Sequence, residues 1–279
     1  MQDHPLYLLG FAAVTTLVLV LLAQLIERLL FPALQGRNNH AASLLHAGRY
    51  FGVFSVSAAV VSGSVHGENW RADVLWVAVY GLSAVVVLDA LARAGIYVLL
   101  RSRLPKEIAE SNVAAGLAAG AHYAATGIIL SRSLSGHGLK DLGISVAFFV
   151  LGQITLHLFV ILFRAVTTYD DSKEILGNNL AAAMSYAGVT VALALIIGHA
   201  TEGTFVNWNV SLRAYAIALL VAFALYPVRQ LLVQSLMLGG KLSLRRGALD
   251  QGIAEERNVG VSVLEAGAYL ATAFLISRL

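Results

Sequence analysis

The stretch Asn179-Leu180-Ala181-Ala182-Ala183-Met184-Ser185-Tyr186-Ala187-Gly188-Val189-Thr190 decides the fold, because it returns three more times along the chain. Its opening recurs as Asn39-His40-Ala41-Ala42, Asn112-Val113-Ala114-Ala115 and Asn258-Val259-Gly260-Val261. Eight and nine residues beyond each asparagine stand two small residues: Ala47-Gly48, Gly120-Ala121, Ala187-Gly188 and Ala266-Gly267. Eleven beyond comes Tyr50, Tyr123, Thr190 or Tyr269. Asparagine is a favoured helix N-cap, since its side-chain oxygen accepts from a backbone N–H that the helix leaves open. In a bilayer such an open donor is costly, so a polar cap at the start of an apolar helix has a physical reason.

Apolar segments surround these starts. Hydrophobic residues make up 58% of the 279 residues, charged residues 13%, and the mean hydropathy is +0.75. A soluble domain carries about twice that charge. About 20 apolar residues cross the hydrocarbon layer, and eight segments qualify: roughly 6–30, 40–62, 75–100, 113–131, 143–163, 180–200, 212–237 and 259–277. No alternation of period two suggests a β-barrel. The first segment lacks the basic n-region of a cleavable signal peptide and is too long for its apolar core. The fold expected is all-α: a polytopic membrane protein of eight transmembrane helices in four two-helix repeats.

Basic residues orient it. Arg37, Arg101, Arg103, Lys106, Lys173, Lys241, Arg245, Arg246 and Arg257 follow the odd segments, whereas Arg71, Arg132, Lys140 and Arg278 lie on the other side. The first side is therefore expected to be cytoplasmic and both termini periplasmic. Two-helix repeats all point the same way, so their pseudo-symmetry axis runs along the membrane normal, unlike that of inverted-repeat transporters.

Positions two and nine past each asparagine are Ala or Gly throughout, which lets another backbone approach. A neighbouring stripe reads Asn39, Ser43, His46, Tyr50; Asn112, Gly116, Ala119, Tyr123; Asn179, Ala183, Tyr186, Thr190; and Asn258, Ser262, Glu265, Tyr269. It is too polar for lipid and is expected to face protein or water.

The run from Thr167 to Gly188, with Lys173-Glu174-Ile175 ahead of Asn179, resembles the signature of the YjfL-like inner-membrane proteins, a domain of unknown function numbered 350. Lys106-Glu107-Ile108 ahead of Asn112 resembles the corresponding part of another copy. The resemblance implies two tandem four-helix domains, 1–138 and 139–279, with the fourth repeat departing at Gly260-Val261. It implies a bacterial cell inner membrane location and no established activity. The family's gene neighbourhoods include polyamine-conjugating ligases and phage-shock-type proteins, which associates it with polyamine or envelope-stress biology.

Candidate sites follow from polar residues where lipid disfavours them. Asn39, Asn112, Asn179 and Asn258 are read as caps, with a shared cytoplasmic vestibule as the alternative. Glu265 and His46 lie seven residues into their helices, and ionisable groups at that depth are functional candidates. With Tyr50, Tyr123, Tyr186 and Tyr269 they form a candidate intramembrane polar site. Asp89 and Arg93, four apart, suit an intrahelical pair. His122 and His157 read as core histidines or relay groups. Asp170, Asp171 and Glu174 form a candidate cation patch, and the basic loop from Lys241 to Arg246 suits anionic headgroups.

The sequence shows no phosphate-binding loop, zinc-protease helix, nucleophile elbow or dinucleotide fingerprint. It contains no cysteine, which excludes disulfides and thiolate chemistry. No enzymatic activity, metal, cofactor or nucleic acid is expected. The partners expected are the lipid bilayer, further copies in a homo-oligomer, and cytoplasmic proteins. The function expected is that of a membrane structural or envelope-stress adaptor, with a channel or transporter for small cations or polyamines as the alternative.

Overall fold

The computed structural model describes residues 5–30, 32–34, 39–100, 104–134, 136, 138–202, 205–223, 225–242 and 247–278. All regular structure among them is helical. Six helices are long: α1 (Pro5–Leu30), α2 (His40–Ser64), α3 (Trp70–Leu100), α5 (Val113–Ser133), α6 (Leu139–Val166) and α8 (Leu180–Thr201). The last helix, α12 (Val259–Ile276), also qualifies as a span, so seven helices are long and apolar enough to cross a membrane. Short helices α4 (Leu104–Ala109), α7 (Asp171–Leu176) and α11 (Ala248–Ala254) precede α5, α8 and α12.

The segment expected at 212–237 is divided. Helix α9 (Trp208–Ala222) is followed by α10 (Leu225–Pro227), which runs into a π-helix over Val228–Met237. Pro227 has no N–H to give to an α-helical ladder, and the wider π turn that follows carries Arg229 into the protein, where it is buried. An eighth uninterrupted helix is therefore absent among the described residues. Of the residues that set the expected orientation, Arg37, Arg101, Arg103, Arg245 and Arg246 lie outside the described residues.

Helices α2, α5, α8 and α12 pack side by side in one row, each against the next. α5 and α8 are buried along most of their length, and the ends of the row, α2 and α12, along less than half. Small residues bring the axes together: a methyl added at Gly48 would overlap the Gly120 backbone carbonyl. Such contact replaces the hydrophobic drive that lipid removes from helix association. The other long helices flank the row, with α3 against α2 and α5, and α6 against α5 and α8.

Candidate functional site

One local device recurs at the start of α5, α8 and α12. A short helix ends, one residue turns left-handed, and an asparagine caps the long helix. The left-handed residues are Ser111 (φ 59°), Asn178 (φ 56°) and Arg257 (φ 50°). Such a residue ends a helix by sending the next N–H back to an open carbonyl; accordingly Asn112 N donates to Glu107 O at 2.9 Å and Asn179 N to Glu174 O at 2.9 Å. The next turn then begins at the cap. Asn39 Oδ1 accepts from Ala42 N, Asn112 Oδ1 from Ala115 N, Asn179 Oδ1 from Ala181 N and Ala182 N, and Asn258 Oδ1 from Val261 N.

The amide nitrogens of the same residues reach across the row. Asn39 Nδ2 donates to Ile108 O in α4 at 2.8 Å, Asn112 Nδ2 to Ile175 O in α7 at 3.0 Å, and Asn179 Nδ2 to Ile253 O in α11 at 3.0 Å. Asn39, Asn112 and Asn179 are thus each tied to the short helix ahead of the following cap. Two links are reinforced by carboxylates, Glu107 accepting from Asn112 at 3.0 Å and Glu174 from Asn179 at 2.9 Å. Asn178 Oδ1 also accepts from Ala114 N at 3.1 Å. Asn39, Asn112 and Asn179 act as structural links, spending both ends of the side chain on protein.

Below this layer lie two buried charge clusters. In the first, Arg49 of α2 donates through Nε to Asp89 Oδ1 of α3 at 2.9 Å, through Nη1 to Glu27 of α1, and through Nη2 to Ala23 O at 2.6 Å. Arg93 Nη2 stands 3.0 Å from Asp89 Oδ2, the intrahelical pair expected from sequence. Tyr123 OH donates to Asp89 Oδ1 at 3.3 Å. His46 Nδ1 lies 3.6 Å from Glu27 Oε2, with its ring stacked on Tyr50, whose hydroxyl accepts from Gln24 at 3.3 Å.

The second cluster gathers around Glu265. Arg229 Nε donates to Glu265 Oε1 at 2.6 Å, and its Nη2 pairs with Asp250 of α11. Ser185 Oγ donates to Glu265 Oε2 at 2.5 Å and Tyr269 OH to Glu265 Oε1 at 3.2 Å. Alongside, Arg164 Nε donates to Asp171 Oδ2 at 3.1 Å. A cavity of about 20 Å³, room for about one water, lies among Arg164, Asp171, Ser185, Arg229, Glu265 and Tyr269. Among the described residues, the guanidinium groups of Arg164 and Arg229 here face the buried carboxylates of Asp171, Asp250 and Glu265. Burial therefore pushes the Asp171 carboxyl up to about 7, with Arg164 opposing and Glu265 and Asp170 adding to the rise.

The three acidic residues of the expected cation patch have separate tasks. Asp170 caps α7, Asp171 meets Arg164, and Glu174 accepts from Asn179. Tyr186 OH lies 3.4 Å from His122 Nδ1, and the rings of His122 and His157 meet edge to face with centroids 5.3 Å apart. His122 Nε2, Thr126 Oγ1, the Gln153 amide and Thr190 Oγ1 are buried with no hydrogen-bond partner among the described residues. Among those residues no group of three or more His, Asp or Glu side chains is placed to hold a metal ion.

Sequence reasoning misses Arg49 and Arg229, the arginines that tie the members of each cluster together. Arg49 reads in the sequence only as a neighbour of His46, and Arg229 disappears into an apolar segment. The available signal is an ionisable residue well inside a span, the criterion that selects Glu265. Glu27, Ser185 and Asp250 carry no comparable signal.

A UPF0719 transmembrane protein of Aquifex aeolicus (strain VF5) is 22% identical to this chain over 253 residues, covering 90% of this chain and 88% of the relative. No solved structure matches. The model of the Domain of Unknown Function (DUF350) family matches twice in tandem, over residues 3–134 and 137–279, so that each match takes in two of the cap asparagines and one of the buried charge clusters. With nearly its whole length matched, the chain belongs to the DUF350 family of membrane proteins, in a tandem form.

Proposed function

We propose that this protein is a structural or envelope-stress adaptor of the bacterial inner membrane. It crosses the bilayer eight times as four two-helix units, with α9 and the π-helix together making the seventh crossing and both termini in the periplasm. Cytoplasmic proteins meet it at the asparagine end, where Lys106 and Glu110 of the α4 region are exposed. The observation that carries this reading is the use made of buried charge. Arg49 and Arg229 are spent on bonds that each join three separate helices. Such groups lock a bundle and lend themselves poorly to passing ions along it.

A second reading is conduction of protons, small cations or polyamines. It is favoured by the carboxylate excess around Glu265 and Asp171 and by the buried polar atoms on α5, α6 and α8, which water would satisfy. Flux of H⁺, K⁺ and spermidine into proteoliposomes separates the two, comparing the native chain with Glu265→Gln and Asn179→Ala. The adaptor reading expects flux no higher than in protein-free liposomes. Flux that Glu265→Gln abolishes in folded protein would overturn it in favour of conduction.

A further inference from the structure

We propose that copies of this chain assemble head to tail in the membrane plane, the exposed face of α12 in one copy receiving α2 of the next. The inference concerns assembly and stands apart from whether the protein conducts.

Its basis is an interface the chain already uses between its own helices. Where α2 meets α5 and α8 meets α12, the glycine nine past one cap asparagine seats the residue eight past the next, and the residue four past Asn112 sits against the residue two past Asn39. Gly48 of α2 lies against Gly120 of α5, and Gly116 of α5 lies against the Ala41 backbone. Gly188 of α8 lies against Ala266 of α12 so closely that a methyl on the glycine would overlap it. The filling residues of α8 and α12, Ala183, Ala187, Ser262 and Ala266, are all buried.

At the two ends of the row the same surfaces stand open. On α12 the seat residues Gly260 and Gly267 are exposed, and nothing lies within 4 Å of a methyl placed at Gly267. On α2 the filling residues Ser43 and Ala47 are exposed. The amide relay stops at the same place: Asn258 still caps α12, but it is exposed, and among the described residues no carbonyl accepts from its amide nitrogen. The flanking helices repeat the pattern. α3 packs on α2 and α5, and α6 on α5 and α8, whereas α1 packs on α2 and leaves most of its apolar surface outward.

A second copy is the occupant because the surface that fits the α12 seat is present, and exposed, on this chain. The helices of the row are capped at the same end, so a copy added this way keeps its membrane orientation. Such a contact joins unlike surfaces, and it grows until a ring closes or a filament forms.

The absence of cysteine from the native chain makes the test direct. Two differently tagged variants, Ala47→Cys and Gly267→Cys, are co-expressed and oxidised in native membranes. A covalent dimer containing one of each is expected, with no dimer from either variant alone. Gly267→Leu fills the seat and is expected to weaken assembly at least about tenfold, read by native mass spectrometry, with unchanged thermal unfolding of the separated monomer. Dimers from Gly267→Cys alone would replace the proposal with a symmetric α12 contact. Folded protein that gives no mixed dimer and only monomer mass would overturn it.

Discussion

Replacing Asp171 by asparagine should remove a pH dependence that the native protein carries. Asp171 is buried beside Arg164, and its carboxyl is raised from 3.8 to about 7, chiefly by burial. Below pH 3.8 folded and unfolded chains both hold this proton. As pH rises, the unfolded chain releases it first, and the folded chain releases it only through about pH 7. Between those values the folded form binds more protons, so stability falls as pH rises and then levels off. The interval from 3.8 to about 7, at about 1.36 kcal/mol for each tenfold change in proton affinity, puts the loss at about 4 kcal/mol. In Asp171→Asn the amide keeps the shape of the protonated acid and does not titrate, and Arg164 retains Asp170 3.7 Å away. The two proteins should therefore be about equally stable at pH 4, and the variant more stable at pH 8 by up to about 4 kcal/mol. Unfolding of both proteins in the same nanodiscs, followed across pH 4 to 8.5, reads the difference with other titrating groups cancelled. Parallel curves over the whole range would refute the reasoning, as would a variant that loses ground as pH rises.

Arg49→Met should destabilise the protein by about 3–5 kcal/mol, because it leaves Glu27 with only His46 nearby among the described residues, and Asp89 with Arg93 and the Tyr123 hydroxyl; pairing it with Glu27→Gln should recover part of the loss in the same unfolding assay. Asn179→Ala should cost more than Asn258→Ala. The first removes a cap worth about 1 kcal/mol and also orphans the buried Ile253 carbonyl, about 1–3 kcal/mol, while the second removes the cap alone. Equal losses for the two asparagines would argue against the relay.

Local features were the most legible in the sequence. Asparagine followed at fixed distances by small residues predicts a capped helix with a close-packed face, and the caps at Asn39, Asn112, Asn179 and Asn258 depend only on neighbours a few residues away. Apolar length alone located the seven helices that are long and apolar enough to cross a membrane. It did not reveal that 212–237 is divided, because a hydropathy window averages over Pro227 and Arg229, which lie where the α-helix gives way to a π-helix and a charge turns inward. The clusters were legible only in part. Asp89 and Arg93 pair within one helix, so their spacing revealed them. The bonds from Arg49 to Glu27 and from Arg229 to Asp250 and Glu265 depend on which helices become neighbours, and side-chain spacing along the chain does not encode that.

The asparagine relay also imposes an order on how the protein is made. Asn39 closes its own helix at once, but the carbonyl for its amide lies 69 residues downstream; for Asn112 and Asn179 the separations are 63 and 74 residues. In a chain emerging from the ribosome each cap has its own partners at once, while the tie between that helix and the next waits for a carbonyl made later. Maturation runs in one direction, each newly inserted unit fastening the one before it. A chain stopped after residue 138 would hold the first family match intact yet leave Asn112 reaching for a carbonyl not yet synthesised, so the first half completes its structure only when the second arrives.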